Sequence, residues 1–272
     1  MNTRLYGVDF TSAPSRRKNI TIAQGRLAGH ELQLMALHGL ADFPAFDSWL
    51  HQPGPWLAAF DFPFSLPRAL VEQLDWPRQW PALVTQIASQ TRAQLREQFK
   101  AVCDSRPAGS KFIHRATDLP AGSSSPMKWV NPPVAFMLHA GAPRLLQAGV
   151  HLPHLHAGDP DRIGLEAYPG LVARSFTRKS YKNDGPARRD PARAAQRLHI
   201  LQCLETSGWR GIRLATGPWR FALLEDGSGD LLDAALCLVV AAWSWQRRDQ
   251  NFGLPASDPL EGWIAGALPP PD

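Results

Sequence analysis

Asp9, Asp61 and Glu166 share one local setting: each carboxylate closes a short apolar run, in Gly7-Val8-Asp9-Phe10, Ala59-Phe60-Asp61-Phe62 and Gly164-Leu165-Glu166-Ala167. A charged carboxylate among apolar neighbours forfeits much of its hydration unless it is ion-paired, hydrogen-bonded or metal-bound. Asp230 and Asp233 stand three residues apart at the head of an apolar stretch. That spacing puts both on one face of a helix, at the end where negative charge is favoured. Oxygen-rich side chains, with no Cys or His in the same motifs, suit a hard cation such as Mg²⁺ or Mn²⁺. One or two such ions can activate a water and stabilise the leaving oxygen of a phosphodiester. Plainer roles stay open: Asp230 or Asp233 as a first-turn acid, Glu166 paired with an arginine, Asp61 as a turn former before Phe62-Pro63.

Cations that could meet a phosphate beside such a centre are Arg115, in a long Ser- and Gly-rich stretch, and Lys179 and Lys182, which with Tyr181 follow the Glu166 segment. They would neutralise phosphate oxygens and the charge that develops in the transition state. Other motifs carry less. His151, His154 and His156 lack a fourth zinc ligand. Gly227-Ser228-Gly229 has no phosphate-loop lysine. Trp129 is a candidate base-stacking side chain. Cys103, Cys203 and Cys237 form no CxxC and read as small buried hydrophobes.

The elements that must position these residues follow from hydrophobic period. Leu5–Phe10, Asn19–Leu27 and Glu31–His38 read as three strands with tight turns, an antiparallel meander. A short helix over Pro44–Leu50 precedes a buried strand over Trp56–Asp61. Helices are expected over Pro67–Leu74, Ala82–Val102 and Val134–Ala148, with an irregular loop over 104–133 and another over His151–Asp161. A strand over Arg162–Tyr168, a helix over Pro191–Thr206, a short strand over Ile212–Ala215 and an apolar helix over Leu231–Arg247 complete the order. A meander followed by helical crossovers implies a mixed sheet with helices packed on it.

The chain has 272 residues, 44% of them hydrophobic and 19% charged. That composition is globular and long enough for a sizeable core. No apolar run is long enough for a membrane span, and the segment after Met1 lacks a signal-peptide core, so no membrane partner and a cytoplasmic location are expected. The net charge is +5. Between Val172 and Arg213 ten Lys and Arg residues stand against three acids. A positive field of that kind suits anionic partners, nucleic acid or nucleotide among them, although a solvated helix has the same composition.

Five motifs recur in a fixed order: Gly7-Val8-Asp9-Phe10-Thr11-Ser12-Ala13-Pro14, Phe60-Asp61-Phe62-Pro63-Phe64-Ser65-Leu66-Pro67, Ser125-Pro126-Met127-Lys128-Trp129-Val130-Asn131-Pro132-Pro133, Glu166-Ala167-Tyr168-Pro169 and Asp230-Leu231-Leu232-Asp233-Ala234-Ala235-Leu236. Together they resemble the DUF429 family, predicted nucleases with a ribonuclease H-like fold. The resemblance implies one α/β domain over residues 1–272, with a mixed five-stranded sheet in the order 3-2-1-4-5. Helices would flank the sheet, and a large, mostly helical insertion over about 68–160 would separate strands 4 and 5. It also implies that Asp9 and Asp61 lie side by side, with the closing helix bringing Asp233 or Asp230 to them. In that arrangement Asp9, Asp61, Asp230 and Asp233 hold metal, and Glu166 orients metal or water. The function expected is metal-dependent phosphodiester hydrolysis. Two other classes fit parts of the pattern: an actin-like sugar-kinase or ATPase, whose first phosphate loop resembles Gly7–Ser12, and a non-catalytic scaffold that binds nucleic acid or protein.

Overall fold

The computed structural model describes residues 3–183 and 190–269. Its centre is a mixed α/β sheet of seven strands, in the order β5-β6-β4-β1-β2-β3-β7. In chain order these are β1 (Arg4–Asp9), β2 (Ile20–Ala28), β3 (Glu31–Leu40), β4 (Trp56–Asp61), β5 (Val150–His151), β6 (Asp159–Glu166) and β7 (Arg213–Ala215). The count is seven where five are expected, because β5 and β7 extend the two edges. β5 falls partly within the expected His151–Asp161 loop, and its pairing with β6 starts that strand at Asp159. β1, β2 and β3 form the antiparallel meander, while β4 runs parallel to β1 and β6 parallel to β4.

β1 and β4 are buried on both faces. Their period-2 alternation sends side chains into two separate cores. Tyr6, Val8, Trp56, Ala58 and Phe60 point into one core, and Leu5, Leu57 and Ala59 into the other. The first core is covered by α1 (Phe43–Leu50) and by helices of the stretch between β4 and β6. These are α2 (Arg68–Gln73), α3 (Trp80–Ser89), α4 (Arg92–Asp104) and, after the single turn α5 (Asp118–Ala121), which packs Ala121 with Trp263 and Ile264 instead, α6 (Val134–Gln147). The helix expected over Ala82–Val102 is two, α3 and α4. Thr91 accepts from the Gln94 backbone N–H while its own N–H donates to Gln94 Oε1, and this reciprocal capping box starts a new helix.

The second core is covered by α7 (Pro169–Ala173), α8 (Pro191–Thr206), α9 (Arg220–Glu225) and α10 (Asp230–Gln246). α10 is buried from Leu232 to Ser244 and lies directly on β1, β2 and β4. A helix apolar on all sides belongs between layers. Gly7 makes the approach possible: a Cβ there would lie 2.1 Å from both the Ala234 carbonyl oxygen and the Leu238 nitrogen. Among the described residues no helix is long and apolar enough to cross a membrane. Cys103 and Cys237 are buried as expected, whereas Cys203 is partly exposed because it lies on an outer face of α8.

Candidate metal centre

Asp9 and Asp61 are the last residues of β1 and β4, and the parallel register pairs them directly. Paired residues on neighbouring strands point to the same face. Both carboxylates therefore lie on the α10 side, where Asp233 arrives in that helix's first turn. Carboxylate oxygens of Asp9, Asp61 and Asp233 all lie within 4.8 Å of one another. The close contact at Gly7 sets this distance, since it fixes the height of α10 above β1 only two residues from Asp9.

The surroundings make the cluster electrostatically incomplete. Asp9 and Asp233 are almost fully buried. The Tyr181 hydroxyl donates to Asp233 Oδ1 at 2.5 Å, and Lys182 Nζ pairs with Asp233 Oδ2. Asp9 Oδ2 is buried without any hydrogen-bond partner. Burial, then the charge of Asp233, holds the Asp9 carboxyl well above its usual range. The same two causes push Asp61 up to about 8. Burial also raises Asp233, against the opposing pull of Lys182. Burial by itself would lower the Lys182 ammonium, but the carboxylates of Asp233 and Asp9 outweigh it and hold it charged.

A hard divalent cation fits this donor set. The three ionised carboxylates with Lys182 carry a net charge of −2, which one such ion neutralises. It would also give Asp9 Oδ2 the partner that the protein does not.

Tyr181 and Lys182 are held in place by residues of the basic segment. Arg197 is buried and donates from Nη1 to the Tyr181 carbonyl at 2.8 Å, and Arg193 Nη1 donates to the Lys182 carbonyl. The Asn183 N–H donates to the Gly227 carbonyl at 2.8 Å, which ties the segment to the turn before α10. At that turn Gly229 has φ +78°, and a Cβ there would meet Lys182 Cγ at 2.9 Å. Arg174 donates to the Ala121 carbonyl and stacks on Tyr168. Lys182, Arg193 and Arg197 thus turn toward the site, while Arg174, Arg178, Lys179 and Arg213 are exposed; Asp184, Arg188 and Arg189 lie outside the described residues.

Other expected site residues stand elsewhere. Glu166 is paired with Phe60, one register step short of Asp61, so its side chain leaves the sheet on the opposite face. There Arg115 clamps it, Nη2 to Oε1 at 2.6 Å and Nη1 to Oε2 at 2.7 Å, while the Phe64 N–H donates to Oε2 at 2.9 Å. Arg115, expected to face substrate, is buried and also binds Asp118 Oδ1 through Nη2 at 2.9 Å. Its guanidinium shapes the site through Glu166. Asp230 is paired with Lys18 Nζ at 2.6 Å and lies outside the three-carboxylate group. Lys179 is exposed, and Trp129 packs edge-on against Phe112.

Around the centre opens a cavity of about 460 Å³, whose wall includes the three aspartates, Lys18, Tyr181 and Lys182. Sequence reasoning missed Lys18 and Met137, and it gave the Pro132-Pro133 motif no place in a cavity wall. It also missed Gly7, although a glycine inside a buried strand signals a close backbone approach. No family model, curated protein or solved structure matches the chain. The chemistry of the site therefore rests on its own geometry.

Proposed function

We propose that the protein is a divalent-metal-dependent phosphodiester hydrolase of ribonuclease H-like design, in which Asp9, Asp61 and Asp233 hold Mg²⁺ or Mn²⁺. The observation that carries this reading is the convergence of three carboxylates, one with a buried oxygen left unpartnered, at the carboxyl ends of adjacent parallel strands. Ligands of open α/β sheets gather at such strand ends. When bound, a divalent cation polarises a phosphoryl oxygen and makes a bound water nucleophilic near neutral pH.

The protein's own groups supply the rest. Asp9 and Asp61 sit on rigid strand ends, which fixes two ligand directions before anything binds. The Tyr181 hydroxyl and Lys182 ammonium hold both oxygens of Asp233 and so fix its rotamer. Lys182 also keeps a positive charge beside the reacting phosphate, where it offsets negative charge that grows in the transition state. Glu166 acts through position: locked to Arg115, it adds negative potential beside Asp61. The strand-end placement of Asp9 and Asp61 supports the hydrolase reading on geometry alone.

Titration calorimetry of the full chain with Mn²⁺ tests the reading. Wild type binds Mn²⁺, and Asp9→Asn weakens binding by at least about tenfold. Hydrolysis of bis(p-nitrophenyl) phosphate with Mn²⁺ disappears in the same variant. Undiminished Mn²⁺ affinity in Asp9→Asn removes Asp9 from the centre and the hydrolase reading with it.

A further inference from the structure

Three of the parts of the chain that wall the cavity over the aspartates set its character. The β1–β2 turn contributes Lys18, the loop before α6 and its first turns contribute Pro132, Pro133, Val134 and Met137, and the end of β6 contributes Tyr168. Tyr168 is held from behind. A Cβ at Gly170 would lie 2.6 Å from its ring, and Arg174 stacks 5.0 Å from the ring centroid. The wall thus joins an acidic floor to an apolar side with an aromatic ring. Its volume of about 460 Å³ falls in the range of pockets that bury a single small ligand.

Charge adds a second restriction. The carboxylates of Asp9, Asp61, Glu166 and Asp233 line the cavity with Lys18, Arg115 and Lys182, but Lys18 is paired with Asp230, and Arg115 with Glu166 and Asp118. Lys182 is paired within the three-aspartate group itself. A divalent ion at those aspartates would add two positive charges beside Lys182 and attract an anion to that end of the cavity. α6 begins at Val134 on this wall without a side-chain cap, so the positive end of its dipole adds to the attraction.

We infer that the substrate is a small phosphate ester of about mononucleotide size, taken whole into the cavity, with its phosphate at the aspartates and its aromatic or nucleoside body against Pro133, Met137 and Tyr168. A cavity of about 460 Å³ matches one molecule of this size, whereas a long strand would leave most of its length outside the wall. Hydrolysis places the water oxygen on phosphorus, breaks the P–O bond to the leaving alcohol and delivers the water proton to that alcohol oxygen. No further reactant is required. This inference rests on the metal-dependent hydrolase reading.

The test uses the full chain loaded with Mn²⁺. Three probes are compared: bis(p-nitrophenyl) phosphate, adenosine 5′-monophosphate as a product-like ligand, and closed circular single-stranded DNA, which offers no ends. Expected results are turnover of the small diester, adenosine monophosphate binding that needs Mn²⁺, and an intact circle. Val134→Trp and, separately, Met137→Trp fill the wall. Each should cut small-ester turnover and nucleotide binding at least tenfold while Mn²⁺ affinity stays within about twofold, which also reports that the fold is retained. Cleavage of the circle at a rate like that of the diester, or wall variants that leave small-ester binding unchanged, overturns the inference and leaves the metal centre standing. Failure of wild type to bind Mn²⁺ instead removes the hydrolase reading beneath it.

Discussion

Three carboxyl groups held together without enough positive charge make proton occupancy the variable that each residue feels. The unfolded chain releases an aspartate proton near pH 4. In the folded, metal-free protein Asp61 keeps its proton up to about pH 8. Asp9 and Asp233 shift in the same direction. Between those pH values the native state binds more protons than the unfolded state, so stability falls as pH rises. In a chelator, wild type should therefore melt at a lower temperature at pH 8 than at pH 5. Asp61→Asn should flatten that dependence and melt at least about 2 °C above wild type at pH 8, as followed by circular dichroism. Mn²⁺ reverses the sign, because it replaces the protons: its stabilisation should grow with pH in wild type and be weak in Asp61→Asn. Calorimetry in buffers of different ionisation enthalpy should detect protons released as Mn²⁺ binds. An equal pH profile in the two chelated proteins would contradict the clustering of charge.

At the scale of elements, the decisive contact is α10 on β1. Gly7 is the point where a helix backbone meets a strand backbone with no side chain between them. Gly7→Ala places a methyl group 2.1 Å from Ala234 O and Leu238 N, and neither backbone group can rotate away. Overpacking of this kind costs about 1–3 kcal/mol or more. The helix must lift, and Asp233 lifts with it. Urea denaturation should show the lost stability, and Mn²⁺ affinity should fall at least about tenfold although no ligand has changed. Normal Mn²⁺ affinity in a destabilised Gly7→Ala protein would show that α10 height does not set the site. Gly229 has a related role at the start of the same helix, where the backbone takes a positive φ and the missing Cβ leaves room for Lys182.

At the scale of the whole molecule, a buried polar network joins the stretch between β4 and β6 to the sheet and to the chain after α10. Arg115 links Asp118 and Glu166, and its Nη1 reaches the Glu261 carbonyl at 3.3 Å. Glu261 accepts from the Ala116 N–H at 2.9 Å and the Arg68 N–H at 2.7 Å, and the Ile264 N–H donates to Thr117 Oγ1 at 2.9 Å. Arg115→Met leaves Glu166 and Asp118 buried without their cation, a loss of about 3–5 kcal/mol in urea denaturation. Adding Glu166→Gln removes one of the two stranded charges. The double variant should then be more stable than the sum of the single effects predicts. Strict additivity would mean that the two side chains do not act as a pair.

Much of this arrangement is already written in residue order. Short apolar runs mark β1 and β4, alternation marks β2, the long apolar stretch marks α10 as a helix between layers, and each candidate acid sits at one end of an apolar segment. Local chemistry also marks Thr91 and Gln94, whose spacing separates α3 from α4 although hydrophobic period alone joins them. What the sequence could not decide is register. Asp61 and Glu166 occupy equivalent local settings, yet the pairing of Glu166 with Phe60 turns one toward α10 and the other toward Arg115. Side-chain direction in a strand alternates with every residue, and hydrogen bonds between distant strands choose the phase. The same holds for Lys18 and Lys182, far apart in the chain, which the fold carries to Asp230 and Asp233. Residue type fixed which groups could bind a cation; only the tertiary structure selected three of them, because converging charge depends on contacts between segments that share no local sequence.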